Sequence, residues 1–264
     1  MTRENDTRDL LARAAREFRP AALASSLSIE DMALADLIAR EALPIEIFVL
    51  DTGRLHGDTL ELVRRMQERY GLKVQVYRPC AQAVEDYVAR FGRDGFYRSP
   101  ELRKQCCEVR KVEPLRRALA GKGAWITGLR RGQSAGRGGV ALQEYDAVHA
   151  LPKFNPLADW SEADVWTYIR AHDVPYNRLY DQGYRSIGCA PCTRPVVEGE
   201  DARAGRWWWE NEGKKECGLH VAAQTAPRVV AFKTHLAFSG REIHPAGKGE
   251  RCEGQTRDVD GIGA

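Results

Sequence analysis

Short apolar runs alternate with amphipathic stretches through the first half of the chain. The apolar runs have the character of buried strands, and between them apolar side chains recur at helical spacing. The predicted strands cover residues 21–26, 45–50, 73–77 and 125–128, and the predicted helices cover residues 30–43, 59–70, 84–91 and 108–120. Strands that alternate with helices of this length indicate βαβ units, so we predict an α/β fold, with a parallel sheet and flanking helices.

The second half of the chain has a different pattern. Ser161, with Asp164 three residues later, is a candidate N-cap for one more helix. Beyond it we interpret the aperiodic sequence as loops and short helices over the edge of the sheet, where the tryptophans 207–209 would also pack. The Gly-rich, mixed-charge residues 239–264 are typical of a disordered tail. We therefore expect a single folded domain over residues 1–206. A mobile C-terminal segment would follow over residues 207–220, and then a poorly ordered tail over residues 221–264.

Composition excludes several classes of protein. The chain has 264 residues, 43% hydrophobic and 29% charged, which is ordinary for a globular protein. Its apolar stretches fall short of the roughly 20 residues that a membrane span needs, and residues 1–9 lack the apolar core of a secretory signal. We expect a cytoplasmic protein with no membrane partner. Forty basic and 37 acidic residues give a net charge of +3, too mild to imply nucleic-acid binding, although a local site for a small anion stays open.

Seven cysteines in a chain with no apparent export signal favour metal binding or thiol chemistry over structural disulfides. Four of them form two close pairs, Cys106 with Cys107 and Cys189 with Cys192. A pair spaced by two residues can chelate one ion, whereas adjacent thiolates diverge and suit different irons of a cluster. The adjacent pair thus favours a 4Fe–4S cluster over zinc. The alternative at this point is that no metal binds: Cys106 and Cys107 would then be core residues, and Cys189 and Cys192 a redox or fortuitous pair.

Cations surround two of the cysteine positions. Lys111 lies four residues after Cys107, where it would offset the charge of a cluster or bind an anionic substrate. Arg103 and Lys104, just before the pair, are expected at an ordinary solvated helix start. Cys217 stands apart, with two lysines before it and a histidine after it that would lower its thiol pKa. This composition predicts a nucleophile on a mobile segment, with a plain surface cysteine as the alternative.

Polar loops follow three of the predicted strands, at the edge where parallel sheets bind ligands. Residues 24–31 offer hydroxyls and backbone amides at a helix N-terminus, which suits either an anion or simple N-capping by Ser28. Residues 50–54 take the same position after the second strand. Residues 127–134 combine a glycine, which permits close backbone approach, with arginines that would meet phosphate or sulfate.

In combination and in order, these segments resemble the assimilatory adenylyl-sulfate reductases, within the wider adenosine phosphosulfate reductase family. The resemblance spans about residues 10–220, and the joint match is far more specific than any single motif. The motifs are SSLSIED, LDTGRLH, KQCCEVRKVEPL, WITGLRRGQSA, FNPLADWSEADVW, PYNRLYDQGYRSIGCAPCTRP and GRWWWENEGKKECGLH.

The resemblance implies an adenine-nucleotide α-hydrolase-like fold, with a PP-loop at the first strand–helix junction. It implies one 4Fe–4S cluster on Cys106, Cys107, Cys189 and Cys192. It also places the catalytic cysteine at Cys217, with Lys111 and His220 as catalytic partners that help to neutralise the phosphosulfate. The residues expected to bind the substrate are Ser25, Ser26, Leu50, Thr52, Gly128, Arg130, Arg203 and Arg206.

Cysteine content separates the substrates within that family. Members with both cysteine pairs generally act on adenosine 5′-phosphosulfate (APS), and members without them on its 3′-phosphorylated form. The expected reaction is reduction of APS to sulfite and AMP, through an S-sulfocysteine on Cys217, with thioredoxin as a transient partner. Use of the 3′-phosphorylated substrate, a PP-loop tRNA-thiolating enzyme and a zinc-stabilised nucleotide-binding regulator remain alternatives, and a homo-oligomer stays open.

Two features depart from the family pattern. Ser28 stands where the PP-loop usually has glycine, which leaves the backbone conformation of the loop undecided. The residues after His220 exceed the length that the resemblance explains.

Overall fold

Five parallel strands and one antiparallel edge strand form the sheet in residues 2–210, the part of the chain that the computed structural model describes. The strands are β1 (Ala21–Ser25), β2 (Ile45–Leu50), β3 (Val74–Tyr77), β4 (Ala124–Ile126), β5 (Gln143–Asp146) and β6 (Leu151–Phe154). The helices are α1 (Arg3–Glu17), α2 (Ile29–Arg40), α3 (Gly57–Tyr70), α4 (Ala81–Phe91), α5 (Pro100–Cys107), α6 (Glu113–Leu119) and α7 (Glu162–Ala171). A π-helical turn, Glu108–Val112, joins α5 to α6.

The strand order is β3-β2-β1-β4-β6-β5, which places β1 at the centre of the parallel part. Its partners run parallel on both sides, with Ala21 opposite Ile45 of β2 and opposite Ala124 of β4. Chain connections that leave β1 in both directions create a switch point beside it, and ligands of open α/β sheets bind at such a point. The predicted parallel sheet with flanking helices is confirmed.

Hydrophobic cores cover both faces of the sheet. On one face Leu23 packs with the buried apolar sides of α1, α2 and α7. On the other face Phe48 and Trp125 pack with Leu115 and Leu119 of α6. This burial explains why the strands lack the alternation of apolar and polar residues that a half-exposed sheet would have.

Several elements differ from the sequence-based expectations. Helix α1 was not predicted because its sequence is mostly polar, with a narrow buried side that includes Leu11 and Ala14. The antiparallel hairpin of β5 and β6 was also missed, and the helix expected over residues 108–120 begins as the π-helical turn. Ser161 does cap α7, and its backbone N–H donates to the Asp164 carboxylate at 2.8 Å.

Residues 211–264 lie outside the described part of the chain. The predicted tail and most of the predicted mobile segment fall there, together with Cys217 and His220, so these remain predictions. Among the helices of residues 2–210, we find none with both the length and the apolar character needed to cross a membrane.

Candidate functional site

A cavity of about 240 Å³ opens at the carboxyl ends of β1, β2 and β4. Its walls include the polar loops that follow these three strands and parts of residues 185–206. The eight residues predicted to bind a nucleotide all line it, and so does Lys111. They are Ser25, Ser26, Leu50, Thr52, Gly128, Arg130, Arg203 and Arg206. We refer to this space as the nucleotide cavity.

The loop after β1 turns through Leu27, whose backbone is left-handed, with φ at 63°. Its N–H donates to the Ser25 hydroxyl at 3.1 Å, and its side chain is buried. Ser28 caps α2 from an extended conformation that any residue can adopt. The absence of glycine at position 28 therefore causes no backbone strain, because the residue with the left-handed backbone is Leu27. A left-handed leucine costs about 1–2 kcal/mol, which the fixed surroundings of the loop must offset.

Asp31, in the first turn of α2, ties this loop to the loop after β4. One carboxylate oxygen accepts the N–H and the hydroxyl of Ser26 at 2.7 and 2.6 Å, and the other accepts the Gly128 N–H at 3.0 Å. Burial raises the pKa of Asp31 to about 6, although the bonds from Ser26 lower it. Sequence reasoning missed this residue. The available signal was an acid just inside a helix that follows a hydroxyl-rich loop.

The sequence suggested that Gly128 would let the backbone approach a ligand closely; in the structure the element that its backbone approaches is α2. A Cβ atom at this position would lie 2.5 Å from an Asp31 oxygen and 2.7 Å from the Glu30 Cβ. The two loops can therefore meet only because residue 128 has no side chain.

Arg130 forms a buried ion pair in the wall of the nucleotide cavity. Its Nε donates to the Glu30 carboxylate at 2.8 Å, and both side chains are 6% exposed. The sequence suggested that this arginine would meet phosphate or sulfate directly. In the structure much of its charge is instead balanced by Glu30, a partner 100 residues away that the sequence did not reveal.

The loop after β2 is bound to the segments that carry the cysteines. The Thr52 carbonyl accepts a hydrogen bond from Arg110 at 2.8 Å, and its hydroxyl lies 3.2 Å from the Cys189 sulfur. The Ala190 N–H donates to the Arg54 carbonyl at 2.7 Å. Thr52 thus contacts both cysteine segments while it lines the nucleotide cavity.

Cys106, Cys107, Cys189 and Cys192 all line a second, smaller cavity, which we call the cysteine cavity. All four are free thiols. In residues 2–210 no three histidine, cysteine, aspartate or glutamate side chains are arranged to hold a single metal ion. A 4Fe–4S cluster has a different requirement, because each thiolate binds its own iron and the sulfurs need only surround a common space.

The donor set of the cysteine cavity fits such a cluster. It combines four thiols with cationic side chains and with Trp207, whose buried indole N–H has no hydrogen-bond partner among the described residues. An indole N–H in this position could donate to sulfur. The fit concerns the chemistry of the donors, and the cluster itself remains a prediction.

The thiols of the cysteine cavity have different electrostatic environments. Burial and the neighbouring Cys189 raise the pKa of Cys192 to about 12. Burial also raises the pKa of Cys106, against the opposing charge of Arg110. Burial acts in the same direction at Cys189, but Lys111, the Thr52 hydroxyl and Arg206 outweigh it and lower the pKa of that thiol.

Lys111 lines both cavities. It lies on the π-helical turn, directly after the helix that ends with the adjacent cysteines. π-helical turns occur frequently at functional sites, because the extra residue redirects side chains that a regular helix would turn elsewhere. Here the turn carries both Arg110, which reaches the loop after β2, and Lys111.

Arg206 enters the cavity wall beside Gly188. Its guanidinium lies 3.4 Å from the Ser186 hydroxyl and 3.4 Å from the Ile187 carbonyl, and a Cβ on residue 188 would lie 2.5 Å from it. The buried Nε–H of Arg206 has no partner within residues 2–210.

Arg103 and the tryptophans differ from expectation. Arg103 is 2% exposed and pairs with Glu210, so it does not lie at a solvated helix start, whereas Lys104 is exposed as expected. Trp207 packs against Arg103 and Trp209 against Tyr97, rather than over a sheet edge. The sequence could not show these contacts because their partners lie about 100 residues away.

The fold and the cavity together define an α/β protein of the PP-loop type, with a cavity lined by serines and arginines at the carboxyl edge of its sheet. A model of the phosphoadenosine phosphosulfate reductase domain matches residues 20–195. The chain therefore belongs to the phosphoadenosine phosphosulfate reductase family, as the motifs predicted.

Curated relatives match most of the chain. It is 56% identical to the adenosine 5′-phosphosulfate reductase of Allochromatium vinosum, over 86% of this chain and 88% of that protein. It is 53% identical to the protein of the same name from Burkholderia cepacia, over 82% of this chain and 86% of the relative.

Solved structures agree on the fold. The phosphoadenylyl-sulfate reductase of Candida auris, solved as a phosphate complex, is similar with a TM-score of 0.62 and 27% identity, over 72% of this chain and 90% of that one. The FMN adenylyltransferase of Candida glabrata, in complex with FAD and pyrophosphate, has a TM-score of 0.50 and 13% identity, over 80% of this chain and 75% of that one. At that identity the second likeness shows a shared fold alone.

Proposed function

We propose that the protein reduces adenosine 5′-phosphosulfate to sulfite and AMP. The observation that carries the proposal is that the nucleotide cavity and the cysteine cavity share Lys111. The family membership and the names of the relatives point to the same substrate. Reduction of APS with a protein dithiol needs an anion site, a nucleophilic thiol and cations that neutralise the phosphosulfate.

The residues around the nucleotide cavity bind the substrate in this proposal. The anion would bind beside the hydroxyl-bearing loop that precedes α2, and Asp31 holds the loops after β1 and β4 at a fixed separation. Lys111, Arg203 and Arg206 supply the positive charge, and they stabilise the negative charge that builds up on the phosphosulfate during the reaction.

Cys217 is the proposed nucleophile, assisted by His220. Its thiolate attacks the sulfur of the sulfate group, a sulfur–sulfur bond forms, and the bond to the phosphate oxygen breaks so that AMP leaves. A thiolate of thioredoxin then attacks the Cys217 sulfur and releases sulfite. The second thiol of thioredoxin resolves the mixed disulfide, so the dithiol supplies both electrons.

Cys106, Cys107, Cys189 and Cys192 would hold one 4Fe–4S cluster. When bound, the cluster supplies a fixed local charge beside the substrate. Lys111 would orient between that charge and the phosphosulfate. We further propose that the protein works in the cytoplasm in assimilatory sulfate reduction, with a homo-oligomer compatible with this role.

Sulfite release tests the substrate. Protein purified without oxygen should release sulfite from APS when thioredoxin is present, and much more slowly from the 3′-phosphorylated nucleotide. The similarity to the Candida auris enzyme makes the 3′-phosphorylated form the second candidate. Faster release from that nucleotide would favour it, and no release from either would contradict the proposal.

A covalent adduct tests the nucleophile. Incubation with APS in the absence of thioredoxin should leave a sulfonate on the peptide that contains Cys217, detected by mass spectrometry. Cys217→Ser should form no adduct, because a serine hydroxyl is far less ionised near neutral pH, while Leu219→Ala should form it normally. An adduct on a different cysteine would show that Cys217 is not the nucleophile.

Iron content tests the cluster independently of activity. Anaerobic protein should contain about four irons per chain and absorb at ~400 nm. Replacing Cys106, Cys107, Cys189 or Cys192 by serine should reduce both signals. Full activity in an iron-free preparation would contradict the cluster.

A further inference from the structure

Trp207 is packed against two arginine side chains at the wall of the cysteine cavity. The Arg103 guanidinium carbon lies 4.2 Å from the indole centroid, and that of Arg206 lies 4.6 Å from it. Trp207 is 1% exposed and has a left-handed backbone, with φ at 46°. A non-glycine residue keeps such a conformation only where its surroundings fix it.

Glu210 secures the other end of the same short segment. Its carboxylate accepts from Arg103 Nε at 2.5 Å and from Nη2 at 3.1 Å, a two-point contact between side chains that are 9% and 2% exposed. At the other end of the segment, the backbone N–H of Trp207 donates to the Cys192 carbonyl at 3.2 Å. Residues 207–210 are thus attached to α5 and to the segment of the second cysteine pair.

We propose that Arg103 is a positioning residue that fixes where the chain leaves the cysteine cavity toward Cys217. We call the set Arg103, Trp207 and Glu210 the exit anchor. Arg103 comes from the same helix as Cys106 and Cys107, and Glu210 immediately precedes the residues that carry the proposed nucleophile. The anchor therefore sets the starting point of the nucleophile's segment relative to the cavity that Lys111 shares with the substrate.

The energetics favour a fixed anchor over incidental burial. A buried carboxylate that loses its cationic partner is strongly destabilised, so Glu210 cannot remain in place without Arg103. The guanidinium also contacts the indole face, and such cation–π contacts strengthen when they are removed from water. Losing either charged partner should release residues 207–210 while the sheet and its cores stay intact.

Proteolysis tests the anchor without any substrate. Arg103→Gln and Glu210→Gln each break the ion pair in the full-length protein. A protease that cleaves after lysine should cut at Lys214 or Lys215 roughly tenfold faster in both variants, relative to cleavage at Lys122 in the body of the fold. Arg116→Gln is the control, because it breaks an ion pair on the same helical stretch between side chains that are about half exposed. An unchanged cleavage ratio in both variants would overturn the anchor.

A single-turnover measurement tests the link to chemistry, which rests on the proposed function. Both variants should form the Cys217 sulfonate roughly tenfold more slowly than the parent protein when rates are compared per iron bound and at saturating APS. The rate of adduct formation in the double variant should be no lower than in either single variant, because both substitutions break the same ion pair. Additive losses, or adduct formation at the parental rate, would overturn the positioning role. If the parent protein forms no Cys217 adduct, the proposed function fails, and the proteolysis result still decides the anchor.

Discussion

At Gly128 the backbone of the loop after β4 passes so close to α2 that no side chain fits between them. The contact is direct, because the Gly128 N–H donates to Asp31, and Asp31 in turn accepts both donors of Ser26. Two loops of the nucleotide cavity are therefore fixed through one carboxylate.

Gly128→Ala should separate the two loops. The new methyl group would lie 2.5 Å from an Asp31 oxygen, so the backbone must move. We expect AMP affinity to fall roughly tenfold or more and stability to fall by about 1–3 kcal/mol, measured by calorimetric titration and urea denaturation. Gly57→Ala is the matched control, because a Cβ there meets nothing within 4 Å. Equal behaviour of the two variants would contradict the close approach.

Asp31 should make stability depend on pH. Its pKa is raised from 3.8 to about 6 in the folded protein, so burial favours the neutral form. The stabilisation is fully present below pH 3.8 and is lost as pH rises through about 6. The loss amounts to roughly 2–3 kcal/mol for a shift of this size.

Asp31→Asn removes that titration, although it also leaves a donor unpaired and is less stable overall. Urea denaturation between about pH 4.5 and 7.5 should show the stability difference between parent and variant shrinking as pH rises, in line with the shifted titration. If the unfolding free energies of the two proteins changed in parallel with pH, the pH dependence would come from a group other than Asp31.

At the scale of elements, the π-helical turn has the most specific effect on the site. It inserts one residue per turn between α5 and α6, so Arg110 and Lys111 point toward the loop after β2 and the two cavities. The sequence predicted a regular helix here, because a one-residue widening leaves the apolar stripe of α6 unchanged.

Deletion of Glu108 should convert the turn into regular helix. Because α6 packs on the sheet, the adjustment falls on α5, which should rotate by roughly 100° and move Cys106 and Cys107 away from the second pair. We expect a folded protein with strongly reduced iron content, measured by circular dichroism and iron analysis. Glu108→Ala keeps the residue count and should retain iron. Normal iron in the deletion variant would show that the turn has no positional role.

The elements that the sequence could predict are those with a strong and local pattern. The strand at residues 45–50 was predicted to the residue, and β1, β3 and the helix ending at Tyr70 within one or two residues, because their burial follows from neighbouring side chains. The position of the loops of the nucleotide cavity could be predicted as well, because the loops come directly after the strands of a parallel sheet. The pairing of Glu30 with Arg130 and of Arg103 with Glu210 could not follow, because contacts across about 100 residues leave no trace in a single sequence.

At the scale of the whole molecule, the nucleotide cavity joins parts of the chain that are far apart in sequence. Its walls come from the loops after three strands and from residues 185–206. A ligand that bridges these parts binds the folded state alone, so it must stabilise the entire fold.

AMP should therefore raise the thermal stability of the protein. At a concentration about 100 times its dissociation constant, the expected gain in unfolding free energy is about 2.7 kcal/mol, measured by calorimetry. Gly128→Ala should show a smaller gain at the same AMP concentration, because its affinity is reduced. Absence of any shift at high AMP would contradict the assignment of the cavity.

Lys111 has a thermodynamic consequence that neither cavity reveals alone. One ammonium group lines both spaces, so negative charge in one space lies close enough to repel negative charge in the other. In the proposed function, equilibrium linkage makes this antagonism reciprocal: the factor by which a cluster on the four cysteines would weaken nucleotide binding equals the factor by which bound nucleotide would weaken retention of the cluster. Nucleotide release and cluster retention would thus be parts of one equilibrium, and a change at Lys111 would alter both.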